Sequence, residues 1–138
     1  DMGHHRILRL DGRRGTATTV AGTGVAGAAG DGGPATAALL SSPTGVAVVA
    51  RGRQVTLYIA DSSNGRVRVV TPDGTIGTLT LPDATRVGSP FRVAYHPRGY
   101  LYVADALTAV QLGRSGAVTA PRRTSRPAPL TMPQRRIM

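Results

Sequence analysis

The side chains of this chain that can do chemistry are few in kind. All 7 acids are Asp, all 17 basic residues are Arg, and the 138 residues include 3 His and no Cys. Without Cys there is no disulfide, no thiolate metal ligand and no thiol nucleophile. His4 and His5, with Asp1 and Asp11 close by, offer the residue types of a metal site. Neighbours along a strand point to opposite faces, so two adjacent imidazoles do not readily meet one ion, and structural or solvated histidines are the simpler reading. His96 stands before Pro97 with no second His or carboxylate at ligand spacing. No Ser-His-Asp arrangement and no carboxylate pair of defensible separation emerges. The sequence therefore assigns no catalytic residue, no metal ligand and no cofactor.

Gly22-Thr23-Gly24-Val25-Ala26-Gly27 has the spacing of a dinucleotide phosphate cradle and follows a short strand. A helix should come next, and an acid at a strand end about twenty residues on. The chain continues instead with Ala28-Ala29-Gly30-Asp31-Gly32-Gly33-Pro34, so a flexible loop is expected and no cofactor. Asp1, Asp61 and Asp105 recur, the latter two after Ile-Ala or Val-Ala, and a ring of acids around a channel is one reading. An Asp side chain capping its own turn is the cheaper one, because the turn recurs too. Asp1, Asp61, Asn64, Gly65, Asp73, Gly74 and Asp105 are accordingly expected to be structural turn residues. Arg122, Arg123, Arg126, Arg135 and Arg136 lie in 120–138, a segment with four Pro and no acid. Proline at that density forbids helix or central strand. An extended tail that orders against a partner is expected, either an acidic protein surface or the phosphates of RNA. A merely solvated basic end is the plain alternative.

The elements that must position these residues come in repeats. Ser42-Pro43-Thr44-Gly45-Val46-Ala47-Val48 with Leu57-Tyr58-Ile59-Ala60-Asp61 is answered by Ser89-Pro90-Phe91-Arg92-Val93-Ala94-Tyr95 with Leu101-Tyr102-Val103-Ala104-Asp105. The period is 47 residues from Pro43 to Pro90 and 44 from Asp61 to Asp105. A four-stranded propeller blade takes about 40–45 residues. Short β-branched runs alternate with turn clusters such as Asn64-Gly65 and Thr71-Pro72-Asp73-Gly74. Strands are expected near 46–50, 55–60, 66–70, 76–81, 92–96 and 100–104, with two more near 109–112 and 117–119. A partial copy opens the chain, Asp1 aligning with Asp61 and Arg6 with Arg66, and supplies two strands. Helix should be confined to a turn near 35–40. Absence of Lys and Glu, with 18 Gly and 10 Pro, supports an all-β chain.

Ala21-Gly22-Thr23-Gly24, Gly30-Asp31-Gly32-Gly33-Pro34-Ala35-Thr36-Ala37 and the two Ser-Pro copies together resemble NHL-repeat β-propellers, especially their bacterial and teneurin-like branch. Asp1…His4-His5-Arg6-Ile7 is similar to the Asp-x-x-Asn-His-Arg-Ile of that family. The resemblance covers about 1–119 and implies a partial β-propeller of four-stranded antiparallel blades, about two and a half of them. It divides as a half blade (1–20), an inter-blade loop (21–45), a blade (46–81), a blade (89–119) and the basic tail (120–138). Propellers close with about four to eight blades. A fragment, or a subunit whose open ends other protein chains complete or cover, is therefore expected.

A non-enzymatic scaffold for protein–protein interaction is the leading function, with an RNA-binding propeller as the alternative allowed by the net charge of +10. A propeller enzyme of lyase or lactonase type stands third, since that resemblance brings no ligands that match residue by residue. No apolar run is long enough for a membrane-spanning helix. Both an extracytoplasmic setting and a large complex are compatible with the sequence. Strand alternation places Val46, Val48, Leu57, Ile59, Val67, Val69, Val93, Leu101 and Val103 in the core. Arg66 and Arg68 should face solvent, a loop carboxylate or a partner.

Overall fold

In the computed structural model, which describes residues 1–80, 88–90, 92–106 and 109–112, the chain is all-β and every sheet is antiparallel. Strands β1 (Ile7–Asp11) and β2 (Thr16–Ala21) form a two-stranded sheet. A four-stranded meander follows: β3 (Pro43–Arg51), β4 (Gln54–Asp61), β5 (Arg66–Val70) and β6 (Ile76–Thr78). The third sheet holds β7 (Arg92–His96), β8 (Tyr100–Ala104) and β9 (Ala109–Leu112). The expected strand 117–119 and the tail lie outside the described residues. β6 is shorter than the expected 76–81, whose last residue is also outside them.

The meander is apolar on both faces because it is covered on both. Ile59, Val70 and Ile76 join Ile7, Ala21, Ala35, Ala38 and Leu40 from the first sheet and the loop after it. Ala47, Ala60 and Val67, from the other face, join Val93, Leu101 and Val103 of the third sheet. Tyr58 and Tyr95 stack across that second interface, ring centroids 6.5 Å apart and planes at 6°.

Expectations about the core and about the helical turns fail. Val46 and Val48 are 43% and 60% exposed, with Ala47 buried between them. Their face is the one that carries Ile59 and Leu57, since Val46 pairs with Ile59 and Val48 with Leu57. Among the described residues only β1 and β2 lie across from it, too few to reach β3. Helical turns are also more numerous than expected: 3-10 turns occupy Met2–His4 and Ser62–Asn64 besides Ala35–Ala37.

The loop of 22–42 is packed and hydrogen-bonded, unlike the flexible connection expected. Gly22, Thr23 and Gly27 donate N–H bonds to the carbonyls of Ala35, Ala38 and Leu40 at 2.9–3.1 Å. Gly22, Gly27 and Gly30 sit where a Cβ would crowd its neighbours, and the one helical piece in this loop is the 3-10 turn Ala35–Ala37, not the long helix that a dinucleotide cradle opens. At Gly22 (φ +89) a Cβ would lie 2.4 Å from the His5 carbonyl oxygen. Residues 32–35 also run along the outer edge of β6, where Gly32 N–H meets the Ile76 carbonyl, Ile76 N–H meets Gly33, and Ala35 N–H meets Gly74.

Candidate functional site

Where β4 turns into β5, the recurring Asp does not cap its own turn backbone. Asp61 is fully buried, and its carboxylate accepts the Ser41 N–H at 2.7 Å, across the sheet just before β3 begins. The other oxygen accepts from Asn64 Nδ2 at 2.7 Å, and Asn64 also donates to the Gly27 carbonyl at 2.7 Å. Gly65 closes this turn in the left-handed region at φ 65, its N–H on the Ser62 carbonyl. Glycine meets that geometry without the Cβ penalty. Asp105 repeats the long reach, accepting the Gly88 N–H at 3.1 Å. Gly88 stands two residues before Pro90, as Ser41 stands two before Pro43. The expectation of a locally capping Asp is therefore corrected at Asp61, whose carboxylate anchors the start of β3 from twenty residues downstream. Asp73 does serve its own turn, accepting the Thr71 hydroxyl and the Thr75 N–H, and these bonds hold its carboxyl below the usual range. Gly74 completes that turn at φ 85.

Arg68 meets a loop carboxylate, one of the three surroundings expected for it. Its alternation with Val67 and Val69 suggested a wet face, yet it is fully buried. One guanidinium nitrogen donates to Asp31 at 2.6 Å, and the other to the Leu39 carbonyl at 3.0 Å and to Asp61 at 3.5 Å. Asp31 also accepts the Thr78 hydroxyl at 2.7 Å. Its partial burial works to raise the Asp31 pKa, but the Thr78 bond and the Arg68 charge outweigh it and hold the carboxyl below its ordinary value. The result is an ionic clasp between the loop and the meander. The Gly30-Asp31-Gly32 sequence was its only visible sign.

The opening turn copies this geometry with different side chains. His4 Nδ1 lies 2.9 Å from Asp1 Oδ1, as Asn64 lies on Asp61, and Arg6 Nε meets the other Asp1 oxygen at 3.2 Å. His5 takes the left-handed position of Gly65 at φ 50 and accepts the Ser42 N–H at Nδ1, 3.0 Å away. It is the backbone of Ser42, not its hydroxyl, that meets this imidazole, so no nucleophile–base pair forms there. Among the described residues no three His, Asp, Glu or Cys side chains gather to hold a metal.

Two surface features remain. The first is the apolar stripe of Val46 and Val48 on β3 with Val55 (41% exposed) at the start of β4. The second is a cleft of about 450 Å³ at the ends of β3 and β7, lined by Val48, Val49, Ala50, Arg51, Tyr95 and Pro97. Arg51 Nη2 donates to the Tyr95 hydroxyl at 3.2 Å, a bond that raises the Arg51 pKa. Burial raises that of Tyr58. Arg122, Arg123, Arg126, Arg135 and Arg136 lie outside the described residues.

No protein-family model and no curated protein sequence matches the chain. Solved structures do. An auxiliary nutrient binding protein from Bacteroides thetaiotaomicron VPI-5482 is similar at TM-score 0.59 and 21% identity, over 75% of this chain and 31% of that one. One from Bacteroides ovatus ATCC 8483 is similar at TM-score 0.56 and 23% identity, with the same coverage of 75% and 31%. The likeness is one of fold, and this chain spans only 31% of the length of either protein.

The comparison gives the site residues no roles of their own. Of the chemistry-bearing side chains, Asp1, His4 and Arg6 come together in one cluster, and Asp31, Asp61, Asn64 and Arg68 in another. Both clusters bond to neighbouring protein groups, with Arg68 Nε left without a partner. His96 sits apart, its Nδ1 accepting the Arg98 N–H at 3.2 Å.

Proposed function

We propose that the chain is a non-enzymatic binding scaffold, built from NHL-type propeller blades, that holds another protein. The observation that supports it best is the stripe of Val46, Val48 and Val55, which continues the face of the buried Ile59 and has nothing across from it among the described residues. Apolar residues in such a row, on a face otherwise used for packing, mark a surface that associates. The polar clusters fit the same reading, because one closes the opening turn and the other ties the loop to the meander. The nutrient-binding neighbours are compatible with a binding role without catalysis. The Arg-rich tail adds a second, electrostatic contact with an acidic protein surface, for which guanidinium forks are suited.

The test compares the protein isolated from its source with a Val46→Glu/Val48→Glu variant and with a chain lacking 121–138. Native mass and co-isolated proteins are the readout. A defined partner lost from the first variant, and held more weakly and with less salt dependence by the second, is expected. Identical behaviour of all three would remove the reading. A salt titration with single-stranded RNA gives the competing outcome: tight binding with a steep salt slope, indifferent to the stripe, would favour the RNA-binding propeller.

A further inference from the structure

The turn between β4 and β5 holds the single asparagine of the sequence, Asn64, and a glycine follows it. A glycine in that position leaves the backbone nitrogen least hindered for attack on the side-chain amide, so this pair is the chemically labile point of the chain. We infer that Asn64-Gly65 is a latent deamidation site: the fold withholds the reaction, and a chain that has undergone it no longer closes this turn. The inference stands apart from the scaffold reading and involves no partner.

In the reaction the Gly65 nitrogen gives up its proton and forms a bond to Asn64 Cγ. The bond from Cγ to Nδ2 breaks, Nδ2 leaves as ammonia with that proton, and a cyclic imide remains. Water then opens the imide at either carbonyl. One opening leaves an ordinary aspartyl residue, the other an isoaspartyl link whose backbone runs through the former side chain. Water is consumed and ammonia released, so solvent is the only co-reactant.

Both reacting groups are engaged in the folded chain. The two hydrogens of the Asn64 amide go to the Gly27 carbonyl and to Asp61 Oδ2, each at 2.7 Å. Both partners are acceptors, which fixes the amide with its nitrogen toward them. The Gly65 N–H donates to the Ser62 carbonyl at 3.0 Å, and its proton is held there. Gly65 is exposed and Asn64 half-buried, so water reaches the turn and the hydrogen bonds, not burial, do the withholding. Ring closure must wait for an opening that releases these bonds, and its rate follows the open population.

The product does not fit the turn. A carboxylate at position 64 would face the Gly27 carbonyl and the fully buried Asp61 carboxylate, acceptor against acceptor, where two hydrogens had been donated. An isoaspartyl link would instead lengthen the backbone of a turn that Gly65 closes at φ 65. The damage would spread, because Asp61 also holds the Ser41 N–H at the start of β3 and Asn64 holds the 22–42 loop through Gly27. The corresponding segments after Asp1 and Asp105 carry no Asn and are exempt. Time spent unfolded is thereby written into the chain at one residue.

The test incubates the full 138-residue chain at mildly alkaline pH, in buffer and in urea, beside a synthetic peptide of residues 54–66 in each solvent. Trypsin, cutting after Arg53 and Arg66, releases the same peptide from the protein, and mass spectrometry with fragmentation follows the amide at position 64. In urea the chain should convert at the peptide's rate, and in buffer at least about tenfold more slowly than the peptide. Partly converted chains are then returned from urea to buffer and given a brief pulse of a nonspecific protease. Converted molecules should be digested at least about tenfold faster than unconverted ones in the same sample. Asn64→Asp, which imitates the aspartyl product, should unfold at a lower urea concentration than the parent or fail to fold. Equal rates for chain and peptide in buffer overturn the protection. Equal survival of converted and unconverted molecules, or an unfolding midpoint of Asn64→Asp equal to the parent's, overturns the effect on the turn.

Discussion

Replacing Arg68 by Met removes the clasp's cation while keeping a long side chain of similar reach. Asp61 would then remain fully buried with the Ser41 N–H and Asn64 Nδ2 as donors but no counter-charge. Removing one partner of a buried ion pair costs about 3–5 kcal/mol. Here the lower end applies, because the Arg68–Asp61 contact is long at 3.5 Å and Arg68 Nε has no partner of its own to lose. Asp31 adds little, being half-exposed and still bonded to Thr78. A loss of about 3 kcal/mol from a total of about 5–15 kcal/mol is large, and should lower Tm by roughly 10 °C. The chain has no Trp but has four Tyr, and the Tyr58–Tyr95 stack lies on the far side of the meander from the clasp. Urea unfolding followed by tyrosine fluorescence and by far-ultraviolet circular dichroism therefore reports global loss of structure. In Arg68→Met/Asp61→Asn the uncompensated charge is gone, and about 1–2 kcal/mol should return relative to the sum of the single variants. A single variant within about 1 kcal/mol of the parent, or strict additivity in the double, would refute the buried-pair argument.

Other perturbations give equally definite outcomes. Asp31 has a depressed carboxyl pKa in the folded state, so its contribution is complete above the ordinary value of 3.8 and is lost as pH falls from there through the folded pKa. Acid unfolding of Asp31→Asn should consequently be less steep below pH 3.8 than that of the parent, and superimposable curves would contradict the ion pair. Gly22→Ala should cost about 2–4 kcal/mol in urea unfolding, from left-handed strain and the clash with the His5 carbonyl; Gly12→Ala, where a Cβ meets nothing, is the control and should stay within about 0.5 kcal/mol. Burial raises the Tyr58 pKa above its ordinary 10.0, so ultraviolet titration of Tyr58→Phe should lose a component that ionises above that value, and an unchanged curve would argue against that burial. Val48→Thr should leave stability within about 0.5 kcal/mol and reduce binding of an apolar dye, whereas strong destabilisation would mean the stripe is covered.

The repeats made the sheets legible because each strand-turn-strand unit is encoded locally. The Asn64-Gly65 and Asp73-Gly74 turns, the Ser-Pro openings and the aliphatic runs lie within a few residues of the structure they form. What lies across a sheet face is encoded elsewhere, and there the alternation rule misled. Val46 and Val48 have the pattern of core residues, but their exposure depends on how many strands the preceding sheet has. For Arg68 the alternation left solvent, a loop carboxylate and a partner all open, because its acceptors, Asp31 and the Leu39 carbonyl, come from 37 and 29 residues upstream. Asp61 was legible as a recurring polar residue at a turn, but not as an anchor for Ser41, since nothing in the spacing distinguishes a local bond from one across the sheet.

The strip of residues 32–35 along β6 limits how this protein can meet other β-structures. By occupying the hydrogen-bonding groups of Ile76 and the carbonyl of Gly74, it seals the outer margin of the meander against a foreign strand. An assembly that the meander joins cannot widen it by adding strands at that margin, where the chain's own loop stands in place of a further strand. On that side the width of the meander is set from within, by residues that also tie the first sheet's loop to the second sheet.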